Sequence, residues 1–471
     1  MGAFRGAAMI TLYSQGTLRA YTPMPDSSRF SYPFATLQQL AQDVLTHART
    51  KGATACEVDV SEGFGQSVSV RCGEVENIEY NRDKGIGITV YAGQRKGYAS
   101  TSDFSGQALR DTVEAALNIA RFTAEDDCAG LPDKDLLATS LPDLDLYHPW
   151  SDLSVEGAIE TAKRCEQAAF DADSRISNSE GSSISTQEAQ FVAANSLGFM
   201  GGYPTSRHYI ACSVIAGEQD GMQRDDWYTT RRDALDLDSA ESVGATAAKR
   251  AVARLGGRRV RTAEVPVLFE APLAAALLGN FVHAVSGGAL YRKASFLEGH
   301  LGKPVFPDFV RISERPHIPK GLGSSAFDND GVATRDREIV DGGILQGYFL
   351  NVYTARKLGM QTTGNAGGSH NLILTPGEHD LDGLLKLMGR GLLLTEMLGQ
   401  GVNYVTGDYS RGAAGYWVED GEIAYPVEEI TIAGNLAEMF RGIVAVGRDV
   451  HQRGSKQTGS ILVNRMMVAG E

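Results

Sequence analysis

The sequence has 471 residues with 44 Lys plus Arg against 58 Asp plus Glu, a formal net charge of −14. That length holds two or three domains, and 42% hydrophobic with 22% charged residues excludes a disordered or fibrous chain. Surplus carboxylates repel phosphate backbones, so no direct nucleic-acid partner is expected.

Residues 1–33 are read as an N-terminal extension without an assigned element. Between Met1 and Ala20 a weakly apolar patch is broken by Thr11, Ser14 and Gln15, so no export signal is expected. Gly2 lacks the hydroxyl residue at position 6 that myristoylation needs, and Met9 is an alternative start. From Phe34 to Lys51, Leu37, Leu40, Ala41, Val44, Leu45 and Ala48 recur at helical spacing, and Gly52 stops the helix. The period then changes to two. Cys56, Val58 and Val60, then Val68, Val70 and Cys72, then Ile86, Ile88 and Val90 alternate with polar residues, which predicts an antiparallel meander. A second helix carries Leu109, Val113, Leu117 and Ala120. The acidic stretch Glu125–Asp145, with Pro132 and Pro142, reads as a linker or wrapping arm that closes a 34–145 α+β domain.

The middle region, 146–260, opens with a helix from Ser154 to about Asp173. Strand-like runs follow at Gln190–Ala194, His208–Ile215 and Trp227–Arg231, then a helix at Ser239–Leu255. The C-terminal region, 261–471, is glycine-rich and mainly β. Its predicted strands are Glu264–Phe269, Val332–Val340, Gly343–Leu350, Tyr416–Val418 and Glu429–Ile432. Its predicted helices are Leu273–Val285, Tyr353–Leu358, Leu381–Met388 and Asn435–Val446. The fold class is therefore α+β: a smaller N-terminal helix-plus-antiparallel-meander region and a large C-terminal region of mostly antiparallel sheet with helices. No window approaches the roughly 18 uninterrupted apolar residues of a membrane span, so no membrane association is expected. Cys56, Cys72, Cys128, Cys165 and Cys212 form no C-x-x-C pair, which suits a reducing cytoplasm.

Most mechanistic motifs fail. Gly302-Lys303 is followed by Pro304, so there is no phosphate loop, and Gly85-Ile86-Gly87 enters a strand pattern where a dinucleotide loop must open a helix. Ala284-Val285-Ser286-Gly287-Gly288 lacks the strand a nucleophile elbow follows and reads as a packing turn. Asp328-Asn329-Asp330-Gly331 places Ala326 and Arg337 at calcium-ligand positions and reads as a β-turn. The nine histidines include no pair four or five apart, so no zincin helix is present, and His283 reads as a packed imidazole. One cluster combines a carboxylate, hydroxyls and a fixed cation beside glycines: Asp408, Tyr409, Ser410 and Arg411, with Trp417 following. It suits a peptide backbone or a subunit interface, and equally a glycine-rich turn with solvated polar residues. Tyr353–Lys357 and Gly364–Asn371 are weaker clusters of the same kind.

The runs Gly73–Asn77, Gly85–Tyr91, Tyr291–Lys293, Thr363–Gly368, Thr406–Gly415 and Glu429–Leu436 resemble the TldD/PmbA family, more closely its PmbA (TldE) branch, from about residue 35 onward. The resemblance implies a cytosolic peptidase system in which a TldD-type chain bearing an H-E-x-x-x-H zinc site and a C-terminal cysteine pairs with a PmbA-type chain. That system is associated with peptide-antibiotic maturation, antitoxin degradation and gyrase modulation. Here the corresponding helix, Leu277–Val285, has no glutamate and one histidine, and Gln457-Thr458-Gly459-Ser460 has threonine in place of a thiol. The resemblance therefore implies no catalytic residue and no metal on this chain, with zinc in a TldD-type partner, a peptide substrate, and a heterodimer or homodimer. A self-sufficient hydrolase with a dispersed metal site and a non-catalytic regulatory binding protein stay open as alternatives.

Overall fold

The computed structural model describes residues 29–471. The expectations for Met1–Ala20, and most of the 1–33 extension, lie outside the described residues. Residues 29–33 are tethered to β-sheet residue Glu62, whose buried carboxylate accepts hydrogen bonds from the amides of Ser31 at 2.6 Å and Tyr32 at 3.2 Å.

Chain order begins α1 (Phe34–Thr50), β1 (Ala55–Arg71), β2 (Glu74–Ala92), β3 (Arg95–Thr101) and α2 (Gly106–Phe122). It continues α3 (Val155–Ala172), β4 (Ile176–Asn195), β5 (Met200–Ala216), β6 (Gln223–Arg231) and α4 (Ala240–Ala253). These strands form one six-stranded sheet in the order β3-β2-β1-β4-β5-β6. The N-terminal and middle regions, separate in the sequence pattern, thus share a sheet. The free edge of β1 is satisfied by β4 from Glu57↔Asn195 to Val70↔Ser182.

All four helices cover one face. Leu37, Val44 and Val113 pack on Val58, Val60, Ile86 and Ile88, while Ala162, Cys165 and Ala247 pack on Val68, Val70 and Val214. Alternation along β4 sends Ala193 to the other face, where Leu137 and Leu144 of the acidic stretch, and Leu146 just after it, close over it with Phe199 and Phe327. That stretch therefore wraps the sheet.

The second body contains β7 (Ala263–Phe269), α5 (Ala271–Ala284), α6 (Gly287–Tyr291), β8 (Ile312–Glu314), β9 (Arg337–Asp341), β10 (Ile344–Leu345), α7 (Val352–Lys357) and β11 (Leu372–Leu374). It ends α8 (Leu381–Met388), β12 (Gly391–Leu398), β13 (Asp408–Glu419), β14 (Glu422–Asn435), α9 (Leu436–Arg441), β15 (Ile443–Val446), β16 (Lys456–Gln457) and β17 (Ile461–Ala469). The larger sheet runs β14-β13-β12-β7-β17-β15, and a further pairing of β14 with β17 closes it on itself. The inner face of α5, with Leu277, Leu278 and Phe281, packs into the largest core. A smaller sheet, β10-β9-β8-β11-β16, lies beside it and ends at Lys456.

Two predicted strands shrink, Val332–Val340 to β9 and Gly343–Leu350 to β10. The helix predicted over Asn435–Val446 stops at Arg441, and β15 follows Gly442, whose added Cβ would lie 2.4 Å from the Asn464 side chain.

Candidate functional site

Helix α5 starts after Glu270, with proline in its first turn, where a missing amide costs nothing. The other first amides are already used: Ala271 N donates to Ser460 Oγ at 3.0 Å, and Leu273 N and Ala274 N donate to Glu270 O at 2.8 and 2.9 Å. With Ala274, Leu277, Leu278 and Phe281 committed to the core, the opposite stripe of Pro272, Ala276, Gly279 and His283 looks outward.

At the far end of this stripe the His283 ring, exposed at its edge, lies against Tyr404 with centroids 3.8 Å apart. Partial burial, then the nearby Arg292 charge, push its pKa down. The packed imidazole expected from sequence is thus a surface ring stacked on an aromatic. Tyr404 donates its hydroxyl to Asn280 Oδ1 at 2.9 Å, which ties α5 to the loop before β13.

That loop delivers the 408–411 cluster, and the structure divides it. Asp408 accepts from Thr406 Oγ1 at 2.7 Å and from Asn435 Nδ2 at 3.4 Å, which holds its own turn. Ser410 is exposed near the start of β13, with its amide donating to Gly401 O at 2.7 Å. Arg411 is half-buried, and its Nε is shut from solvent without a hydrogen-bond partner. Tyr409 and Trp417, at 2% and 4% exposure, are core residues and differ in this from the solvent-facing cluster expected. Burial pushes the Tyr409 phenol up to about 12, and its hydroxyl lies 3.0 Å from Met397 Sδ. Trp417 lies under Arg390, with Nε1 donating to Glu419 at 3.1 Å. Alternation along β13 turns both aromatic rings inward.

Along the same stripe stands a group that belongs to none of the sequence motifs. Lys456 reaches Gly279, its Cε 3.8 Å from the position a Cβ would take there. Burial pushes its pKa down. His451 and Arg453 precede it, and Tyr228 comes across from β6. The signal was available: a histidine, an arginine and a lysine within 451–456 of an acidic chain.

Residues 56–120 match domain 1, 148–255 the central domain and 262–470 the C-terminal domain of the PmbA/TldA metallopeptidases. The chain belongs to the PmbA/TldD family. It is 50% identical to the Metalloprotease PmbA homolog of Haemophilus influenzae over 92% of this chain and 96% of that protein. It is likewise 50% identical to Metalloprotease PmbA of Escherichia coli O157:H7, over 91% of this chain and 94% of that one. Among solved structures, a Bacteroides thetaiotaomicron protein described as a candidate modulator of DNA gyrase superposes with a TM-score of 0.88 at 28% identity, covering 92% of this chain and 99% of that one. TldE from Thermococcus kodakarensis shares the fold, with a TM-score of 0.79 at 20% identity and coverage of 92% and 100%.

Zinc, which the metallopeptidase family implies, does not fit α5 of this PmbA/TldD member. The outward stripe offers Gly279 and one imidazole, and the buried Asn280 beside it is spent on Tyr404. The Lys456 stem lies against Gly279, with Cε 3.8 Å from the place of a Cβ, and the ammonium one bond further on would repel a divalent ion nearby. Among the described residues, no three His, Cys, Asp or Glu side chains converge as a ligand set.

Proposed function

We propose that this chain is the PmbA/TldE-type, metal-free subunit of a zinc metallopeptidase complex. A TldD-type partner supplies the zinc and its activated water, while this chain holds and orients an unfolded or modified peptide. The observation that carries the reading is the outer stripe of α5, which offers one imidazole, no carboxylate and the stem of Lys456 beside Gly279. Small residues along the stripe leave room for a main chain. Arg411 brings a buried, unpartnered guanidinium nitrogen to the adjoining strand, a natural donor to a peptide carbonyl. A gyrase-directed regulatory role draws no support from the net charge of −14, which disfavours approach to DNA.

The chain is purified alone, its zinc is measured, and cleavage of an unfolded peptide is followed before and after adding a TldD-type partner. Turnover is expected only in the mixture. Stoichiometric zinc with activity from the chain alone overturns the proposal, and no cleavage in any combination favours a binding protein. In the mixture, Arg411→Ala is expected to lower turnover about tenfold, the loss of a charge-assisted hydrogen bond, with zinc content unchanged. Unaltered turnover would return Arg411 to a purely structural role.

A further inference from the structure

A cavity of about 320 Å³ opens between the first turn of α5 and the 451–456 loop. Its floor is Pro272 and Ala276, and its walls carry Tyr228, His451, Arg453 and Lys456. The Arg453 guanidinium lies 3.6 Å from the Trp227 ring centroid and 4.3 Å from that of Tyr228, so two aromatic faces fix its position. Its Nη2 is shut from solvent and has no hydrogen-bond partner. A desolvated cationic donor without an acceptor is costly, so the site is built for an acceptor that arrives from outside.

The nearby acids attract Arg453 through space, but none of them hydrogen-bonds it. Glu270 takes both ends of Arg250 at 2.8 and 3.1 Å, and Asp449 holds Ser460 N and Oγ at 2.9 and 2.6 Å. Asp226, on β6, is exposed to solvent and acts on Arg453 only through longer-range attraction, outside ion-pair distance. The helix amides are also used, by Ser460 Oγ and Glu270 O. A phosphate, which is commonly held by free helix amides, would find none here. What remains is a planar fork flanked by an ammonium and an imidazole, and that set matches a carboxylate.

We propose that this cavity binds a carboxylate of an extended peptide, either its C-terminal group or an acidic side chain, with Arg453 as the principal donor and Lys456 and His451 as flanking charges. The peptide then leads away along Ala276 and Gly279 toward His283 and Tyr404. This rests on the peptide-handling reading above and names what fixes one end of the substrate.

The test is fluorescence anisotropy on the full chain with three labelled, unstructured peptides of one length. One has a free C-terminus, one a C-terminal amide, and one an amide with an internal glutamate. At least one carboxylate form is expected to bind about tenfold tighter than the neutral amide. Arg453→Gln and Lys456→Gln should each compress that ratio below about threefold, whereas Arg453→Lys keeps part of it. The form that wins identifies the source of the carboxylate. Equal binding of all three forms, binding of none, or selectivity that survives both Gln substitutions overturns the site. So does displacement by inorganic phosphate at concentrations where acetate has no effect. If circular dichroism shows that Arg453→Gln fails to fold, the wild-type ratios and Lys456→Gln still decide. Cleavage by the mixed complex with no acid selectivity removes this site and leaves the subunit reading intact. Acid selectivity without cleavage in the mixture does the reverse.

Discussion

His208 is an imidazole held neutral by its surroundings. Fully buried, it lies 2.9 Å from Thr186 Oγ1 through Nδ1 and donates through Nε2 to the carbonyl of His148 at 2.7 Å. With Nε2 as the donor, Nδ1 accepts the threonine hydroxyl, and a second proton would break that bond. Burial pushes its pKa below the ordinary value, against smaller opposing effects from the His148 carbonyl and Asp233. A depressed folded-state pKa means stability that is present above the unfolded value, about 6.5, and lost as pH falls through the folded one. The gap in urea midpoint between wild type and His208→Gln should therefore be wider at pH 7.5 than at pH 5.5. A gap independent of pH would show that folding does not lower the His208 pKa. Glu314 makes the corresponding case for a buried charge. At 1% exposure it accepts from Arg337 Nε and Nη2 at 3.0 and 2.7 Å, and from Asn365 Nδ2 and His370 N at 2.8 Å each. Glu314→Ala strands the Arg337 charge and should cost about 3 kcal/mol or more in urea unfolding.

Two helical glycines give opposite answers to one substitution. Alanine is favoured over glycine in a helix interior by about 1 kcal/mol. At Gly279 the new methyl meets only the Lys456 stem at 3.8 Å, so Gly279→Ala should leave the melting temperature level or raised. At Gly244 it would sit 1.9 Å from the Cys165 carbonyl oxygen, where α4 crosses α3. Overpacking there costs roughly 1–3 kcal/mol, and a clash with backbone lies at the upper end, so Gly244→Ala should lower the melting temperature. Equal effects at both sites would mean that the two helices can separate freely. The same elements show what the sequence disclosed. Helices α1, α3, α4 and α8 were legible within a few residues because one stripe of each is apolar and the opposite stripe polar. The length of β2 was not, since Glu74–Lys84 is exposed on both faces and has no period of two. Strand β12 was missed for the opposite reason: Gly391–Leu394 is buried throughout beside parallel β7 and never alternates. The site followed suit. Arg411 announced itself beside glycines, whereas Arg453 and Lys456 gain their surroundings only when the 451–456 loop meets α5. Gly364–Asn371, a weak candidate for binding that equally suited a glycine-rich turn, forms the clasp around Glu314.

At the scale of the molecule, the joint between the two sheet systems is ionic. Arg250, from α4, grips Glu270 at the entrance to α5 and reaches Asp225 of β6 at 3.2 Å. Arg254, one turn on, pairs with Glu396 of β12 and lies 3.7 Å from Asp225. These side chains are 10–25% exposed, so their charges are poorly screened and each is offset by a partner of opposite sign. Removing Arg250 leaves Glu270 and Asp225 facing each other across the joint without their shared cation. Arg250→Ala should therefore weaken the coupling of the two bodies more than either core, because the apolar clusters on each side contain neither acid. Calorimetry of the wild type is expected to give one cooperative transition, and of Arg250→Ala two resolved transitions, the joint having lost about 3–5 kcal/mol. A single transition in the variant, shifted as a whole, would mean that the wrapped 137–146 segment and its contact with Phe327 suffice to unite the molecule. Because Glu270 also opens the helix that bears the proposed peptide stripe, the same variant should lose peptide affinity in proportion to how far the joint loosens. Unchanged affinity beside a split transition would place the binding surface wholly within the second body.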